Sequence, residues 1–364
     1  MKIGILGTRG IPNNYGGFEQ LAEYLSVELS KRGHKVSVYC SSLHSYQEKE
    51  FNGVELIHCK DPENKIGTAG QFVYDLNCIR DSRQRDFDVL LQLGYTSSSV
   101  WNFLLPKETA IVTNMDGLEW KRSKYSAAVK RFLHVAEKLA VKSSDVLIAD
   151  SPAIADYLRE NYKDEAVYIA YGAELFQNPD ENRLKEMMLL PYSYGLLIAR
   201  FEPENNIEMV VEGFLQQSEI QKLVLIGNHQ NKFGTYMKGK YATNSRIVFQ
   251  AAVYDIALLN NLRHFSQVYF HGHSVGGTNP SLLEAMASSA LICAHDNPFN
   301  KAVLQNGAFY FTNATQVSEA IESALSTNKR NEILEMNKLR ITAEFSWKSV
   351  IDKYEKLFLS TLQQ

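Results

Sequence analysis

Apolar positions along this chain fall into two rhythms. Short runs rich in β-branched residues, apolar on both faces, alternate with longer stretches whose apolar positions return every three or four residues. KIGIL (2–6), KVSVYC (35–40), FDVLLQLG (87–94), TAIVTN (109–114) and DVLIAD (145–150) predict strands of a buried parallel sheet. Between the first two, FEQLAEYLSVELSKRGH brings Leu21, Tyr24, Leu25, Glu28 and Leu29 round at helical spacing and closes on Lys31, Arg32 and Gly33, as a helix end should. That is one βαβ unit.

After YIAYGAELFQNPDENR the rhythm restarts. YGLLIA (194–199), KLVLIG (222–227), RIVF (246–249), QVYFHG (267–272) and ALICAH (290–295) predict a second set of strands, separated by helical stretches such as NIEMVVEGFLQQ. Two similar α/β halves are therefore expected, joined in the polar stretch near 172–192. No segment is of low complexity.

Composition narrows the class. With 364 residues, 45% hydrophobic and 22% charged, the chain is long enough for two globular domains. A net charge of -3 gives no overall attraction to nucleic acid, so no nucleic-acid partner is expected. Cys40, Cys59, Cys78 and Cys293 lack zinc-ligand spacing and suit free thiols in a reducing cytoplasm. No apolar stretch reaches the roughly 18 residues that a membrane span needs. The expectation is a cytoplasmic protein without a metal.

In open parallel sheets ligands bind beyond the carboxyl ends of the strands, which points to loops 7–17 and 200–206. The opening GTRGIPNNYGGFEQ superficially matches a dinucleotide fingerprint, with Gly4, Gly7 and Gly10. Its spacing is not G-x-G-x-x-G, and the second strand ends in Tyr39, Cys40, Ser41 and Ser42 without the acid that holds a ribose hydroxyl. A nicotinamide dehydrogenase is thus disfavoured. Backbone N–H groups at Gly16 and Gly17, entering a helix, still suit a phosphate or diphosphate, with a plain turn as the alternative.

The second half carries more. Arg200 follows a buried strand and precedes a helix, where a guanidinium can clamp a diphosphate. In HGHSVGGTNPSLLEAM a strand runs into a Gly-rich loop, Gly276, Gly277, Thr278 and Asn279, and a helix is predicted to begin around Pro280. That loop is a second anion cradle, and Glu284 stands one turn inside to accept hydrogen bonds from sugar hydroxyls. Glu284 as a solvated helix residue is the plainer alternative.

YGGFE (15–19), NMDGLEWKR (114–122), ADSPAIADYL (149–158), ARFEPENN (199–206), HSVGGTNPSLLEAM (273–286) and FSWKSVIDKYEKLF (345–358) together resemble the retaining glycosyltransferases of family four, in particular their bacterial rhamnosyltransferase branch. The resemblance spans nearly the whole chain. It implies a GT-B fold, two Rossmann-like α/β domains facing each other across a cleft. An acceptor-side domain would occupy 1–178, a nucleotide-sugar domain 179–344, and a helix over 345–364 would return to the first. It implies transfer from a nucleotide sugar, dTDP-L-rhamnose above all, to a saccharide or lipid-linked saccharide in bacterial surface polysaccharide biosynthesis. No cofactor or metal is implied.

Residue by residue, the resemblance makes Asp116, Arg200 and Glu284 the catalytic candidates and places Asn114, Glu119 and Trp120 on the acceptor side. Three positions depart from the broader family. Asn205 stands where many members carry a lysine, Gly276 where they carry a glutamate near the donor sugar, and Asp116 where they carry a histidine. A 6-deoxy sugar lacks the O6 hydroxyl that would otherwise need a partner, which fits rhamnose. Arg9, His271 and His273 are candidates to replace the lost groups, with a structural hydrogen bond as the equal alternative for each histidine. The resemblance implies acceptor attack from the leaving-group face, a donor phosphate oxygen taking the proton, with Asp116 orienting a substrate or acting as base.

Two further features bear on metal and membrane binding. Asp86-Phe87-Asp88 precedes a strand rather than ending one, so it reads as surface charge and not as a metal-binding D-x-D. Segment 121–142 carries seven Lys or Arg against one acid, with Tyr125, Ala128, Val129, Phe132, Ala136 and Leu139 at helical spacing. It is either a basic face for the inner membrane surface or an ordinary packed helix. The rival functions are a GT-B sugar-nucleotide epimerase and a non-catalytic nucleotide-sugar-binding protein.

Overall fold

All ten predicted strand segments form strands in the computed structural model, which describes residues 1–14, 16–122 and 125–363. Tyr15 of the YGGFE motif and Ser123 and Lys124 of the basic segment lie outside the described residues. The chain divides into two units. The first comprises Met1–Lys121, Tyr125–Tyr171 and Trp347–Gln364, the second Arg122–Lys124 and Gly172–Ser346.

In the first unit the strands are β1 (Lys2–Leu6), β2 (Lys35–Ser41), β3 (Glu50–Phe51), β4 (Val54–Cys59), β5 (Val89–Leu93), β6 (Ala110–Asn114), β7 (Val146–Ala149) and β8 (Val167–Tyr168). Among the described residues they form one sheet, ordered β3-β4-β2-β1-β5-β6-β7-β8 and parallel except for the β3–β4 hairpin. That hairpin turns on Asn52 (φ 48) and Gly53 (φ 83), both left-handed, as a two-residue hairpin loop requires. The helix Gly17–Lys31 buries Leu21, Leu25 and Leu29 of the predicted stripe, with Ala22 beside them, while Tyr24 and Glu28 are half-buried.

The chain's last helix, Trp347–Thr361, belongs to this first unit. It buries Val350, Ile351, Tyr354 and Phe358 along one face, and Trp347 stacks on Tyr24 with ring centres 4.3 Å apart. Arg32 joins Asp352 at 2.8 Å and Glu355 at 2.6 Å. Apolar burial supplies most of the attachment, since such partly exposed ion pairs contribute about 0–1 kcal/mol each.

The second unit has β9 (Tyr194–Ile198), β10 (Lys222–Ile226), β11 (Ile247–Gln250), β12 (Val268–His271), β13 (Ile292–His295) and β14 (Phe309–Phe311). Their order is β11-β10-β9-β12-β13-β14, all parallel. Leu197, Val210, Phe214, Leu225 and Phe270 centre its core. The chain enters this unit at Gly172 rather than at 179 and leaves it at Ser346 rather than at 344. Local pairing explains both ends, because Ala173 bridges Ser346 and donates its N–H to the Phe345 carbonyl at 2.7 Å.

Candidate functional site

The parallel strands of each sheet reverse their order once. In the first unit β1 has β2 on one side and β5 on the other, and in the second β9 stands between β10 and β12. Loops leaving such a pair diverge and open a crevice at their carboxyl ends. The predicted loops 7–17 and 200–206 both leave the switch strand of their sheet, and the loop beginning at Gly272 leaves its neighbour β12.

In the second unit the two loops are fastened together. Ser274 donates both its N–H, at 3.0 Å, and its Oγ, at 2.8 Å, to the Glu204 carbonyl, and Asn206 Nδ2 reaches the Gly272 carbonyl at 2.8 Å. A Cβ on Gly272 would stand 2.2 Å from the Asn205 carbonyl oxygen, so only glycine allows this approach. Arg200, on the first of these loops, is exposed. Asn205 is buried and donates Nδ2 to the Arg200 carbonyl at 2.7 Å, so its amide closes the loop that carries the guanidinium.

His271 and His273, the candidates to replace a lost positive or donor group or to make a structural hydrogen bond, stack ring on ring with centres 4.3 Å apart. Burial, and then the charge of Arg200, lowers the His273 pKa to about 3, and burial drives His271 well below its ordinary value. Both rings are therefore neutral near pH 7, so they can offer an N–H or a lone pair but no positive charge. Among the described residues neither ring nitrogen of His271 has a hydrogen-bond partner. Asn297 and Asn300 each donate Nδ2 to the His273 carbonyl at 3.0 Å, bracing the loop from the β13 side.

Gly276 takes φ +130, and among the described residues nothing lies within 4 Å of where a Cβ would project. Space is open there, yet the backbone conformation disfavours any L side chain. Asn279 caps the helix Pro280–Ala287 by accepting the Ser281 N–H at 2.9 Å, and Thr278 beside it is buried. Inside this helix Glu284 Oε2 meets Nη2 of Arg263 at 2.5 Å. Arg263 is 1% exposed and also bonds Asn260 Oδ1 at 2.8 Å and Ser281 Oγ at 3.2 Å. Nothing in the local pattern around 263 marks it, and only its partner reveals it.

In the first unit the opening loop is held by carboxylates from the helix it enters. Glu19 accepts the Arg9 N–H at 2.8 Å, and Glu23 accepts the Asn13 N–H at 2.6 Å. Glycine is obligatory at Gly7, where φ is +92 and a Cβ would lie 2.2 Å from the Leu93 carbonyl oxygen. Gly16 and Gly17, the predicted anion contacts, start the helix, and Gly16 as its N-cap has no side-chain cap. The Arg9 guanidinium is engaged by both carboxylate oxygens of Glu63.

Asp116 follows β6 with φ +53, and its N–H donates to Asn114 Oδ1 at 3.0 Å. Asn114 is buried and donates Nδ2 to the Tyr354 hydroxyl at 3.1 Å. Tyr171, which the sequence did not single out, has its phenol pKa raised by burial and then by the charges of Asp116 and Asp150. Asp116 and the buried Asp150 thus stand in one field at the carboxyl ends of β6 and β7. Trp120 donates Nε1 to Glu137 at 3.2 Å, and Tyr95, Tyr157 and Tyr162 donate to the same carboxylate, which is 1% exposed. Glu119 shares a short 3-10 turn with Trp120.

Glu137 also turns the basic helix. The helix Ala127–Ser143 buries Leu133, Ala136, Glu137 and Ala140 while Ala128 and Val129 stay exposed, a seam rotated from the predicted one. Among the described residues no helix is long and apolar enough to cross a membrane.

Residues 192–340 match the family described as Glycosyl transferases group 1. That match lies within the second unit. Arg200, the 272–279 loop and Glu284 fall within the matched residues. Residues 1–174 match a family described as Domain of unknown function (DUF1972). The whole chain has the GT-B fold of solved glycosyltransferases. It is similar to a sucrose-phosphate synthase from Thermosynechococcus elongatus, with a TM-score of 0.80 at 15% identity over 99% of this chain and 98% of that one. Anabaena Alr3699/HepE, solved with UDP and glucose, gives 0.77 at 13% identity over 99% and 100%. An α,α-trehalose 6-phosphate synthase from Burkholderia multivorans gives 0.71 at 12% over 100% and 98%. No curated protein matches the chain by sequence.

Proposed function

We propose that the protein is a retaining glycosyltransferase that moves L-rhamnose from dTDP-L-rhamnose to a saccharide acceptor, carried on a lipid, in bacterial surface polysaccharide biosynthesis. One observation supports the reading: exposed Arg200 and the glycine loop follow the adjacent strands β9 and β12 at the switch point of the unit that matches group 1 glycosyl transferases. Donor binding falls to that unit, and the acceptor to Asp116, Glu119 and Trp120 of the first. In the reaction the bond from the anomeric carbon to the donor phosphate breaks and a bond to the acceptor oxygen forms. The acceptor proton passes to the departing phosphate oxygen, with no cofactor or metal. Arg200 and loop N–H groups stabilise the charge left on the diphosphate.

A 6-deoxy donor is favoured by Gly276, whose φ of +130 resists the glutamate common in the broader family. The UDP complexes of Anabaena HepE make a uridine donor the second reading. The rivals remain epimerisation without an acceptor and binding without turnover. For the inner membrane face, support comes from the basic helix: Arg131, Lys138 and Lys142 are exposed while its one acid, Glu137, is buried. A panel of dTDP- and UDP-sugars, tested first by calorimetry and then for transfer to a bacterial membrane lipid extract, decides. dTDP-L-rhamnose is expected to bind and to lose its sugar to an extract lipid, and absence of binding by any nucleotide sugar would overturn the reading.

A further inference from the structure

The last helix belongs to the first unit, and one of its residues reaches the loop that carries the proposed acceptor-side acid. Tyr354 is fully buried, and its hydroxyl accepts from Asn114 Nδ2 at 3.1 Å. That bond orients the Asn114 amide so that Oδ1 faces the Asp116 N–H, 3.0 Å away. Asp116 sits at φ +53, a conformation unfavourable for most L residues, though Asp tolerates it when a local polar group supports it. An amide has one donor end and one acceptor end, so fixing either end fixes the other. A phenol is suited to this place because it stays protonated: burial raises the Tyr354 pKa.

We propose that Tyr354 is a positioning residue, acting through Asn114 to hold Asp116 in its left-handed conformation and so to aim its carboxylate. The inference rests on the glycosyltransferase reading for its catalytic consequence, but the relay itself is a property of the first unit. It gives the returning helix a part in setting the substrate loop, beyond packing. Tyr354→Phe removes one hydroxyl and leaves the apolar contacts of the ring in place.

The test uses the full-length protein and has two arms. Hydrogen–deuterium exchange should show the amides of 115–118 exchanging about 10-fold faster in Tyr354→Phe, with the Trp347–Thr361 helix unchanged, since one lost hydrogen bond corresponds to roughly that factor. Transfer from dTDP-L-rhamnose to the lipid extract should lose about 10-fold in kcat with the donor KM unaltered. Asn114→Ala should reproduce both effects, and Tyr354→Phe added to it should cost nothing more. Exchange at 115–118 that matches the unsubstituted protein in Tyr354→Phe overturns the relay. If no nucleotide sugar binds the unsubstituted protein, the function reading fails, while the exchange arm still decides on Tyr354.

Discussion

Arg263 and Glu284 form an ion pair at 2.5 Å inside the second unit, and the arginine is 1% exposed. Removing either partner strands a charge, which costs about 3–5 kcal/mol at a buried site, whereas replacing both by apolar residues is often nearly neutral. Glu284→Ala should therefore lower stability and donor affinity together. The double variant Arg263→Met, Glu284→Leu should recover the urea midpoint while donor binding stays lost. If calorimetry shows donor binding intact in that double variant, Glu284 serves only the arginine.

The glycines of the opening loop should separate by role. Gly7→Ala forces a Cβ against the Leu93 carbonyl at a positive φ, and is expected to destabilise the fold by about 2 kcal/mol or more. Gly17→Val should leave the thermal midpoint nearly unchanged and slow transfer severely. Unimpaired transfer in Gly17→Val would make the start of that helix a simple turn.

Stability should fall on acidification through the histidine stack. The unfolded chain takes protons near the ordinary value of 6.5, while burial and the charge of Arg200 hold folded His273 at about 3. The unfolded state binds more protons in that window, so stability is complete above 6.5 and is lost as pH falls towards 3. Asp75 in the first unit works oppositely: burial raises it from 3.8 to about 6, which favours the folded state on acidification across that range. Urea midpoints at pH 7.5 and 5 should fall less in His273→Gln than in the unsubstituted protein. An equal fall in both would remove the stack from the account.

The basic helix offers a direct check of membrane contact. Lys130→Glu with Arg131→Glu should abolish co-sedimentation with phosphatidylglycerol vesicles and leave binding of nucleotide sugar unaltered, because surface attraction scales with each cationic residue. Co-sedimentation that survives the double reversal argues for a packed helix with a solvated side.

What the sequence determined by itself was local. Short runs apolar on both faces and a period of 3.6 marked ten strands and the first helix, because burial in a sheet or along a helical stripe writes itself at short spacing. Short β3 and β8 and three-residue β14 carry too few residues for a pattern. The β3–β4 hairpin nevertheless left a legible mark in Asn52-Gly53, a turn pair with both residues left-handed. The candidate loops were legible as well, since glycines and strand ends coincide at 7–17, 200–206 and 272–279.

Only the tertiary structure decided what those residues hold. Arg9 meets Glu63 across 54 residues, Arg263 meets Glu284 across 21, and Asn114 meets Tyr354 across 240. No sequence period links such partners, because strand order and the return of the last helix set their distances. The same rule turned Asn205 inward to the Arg200 carbonyl and aimed Glu137 at Trp120. A polar side chain's partner is the nearest group that burial leaves unsatisfied, and that group is known only once the chain has folded.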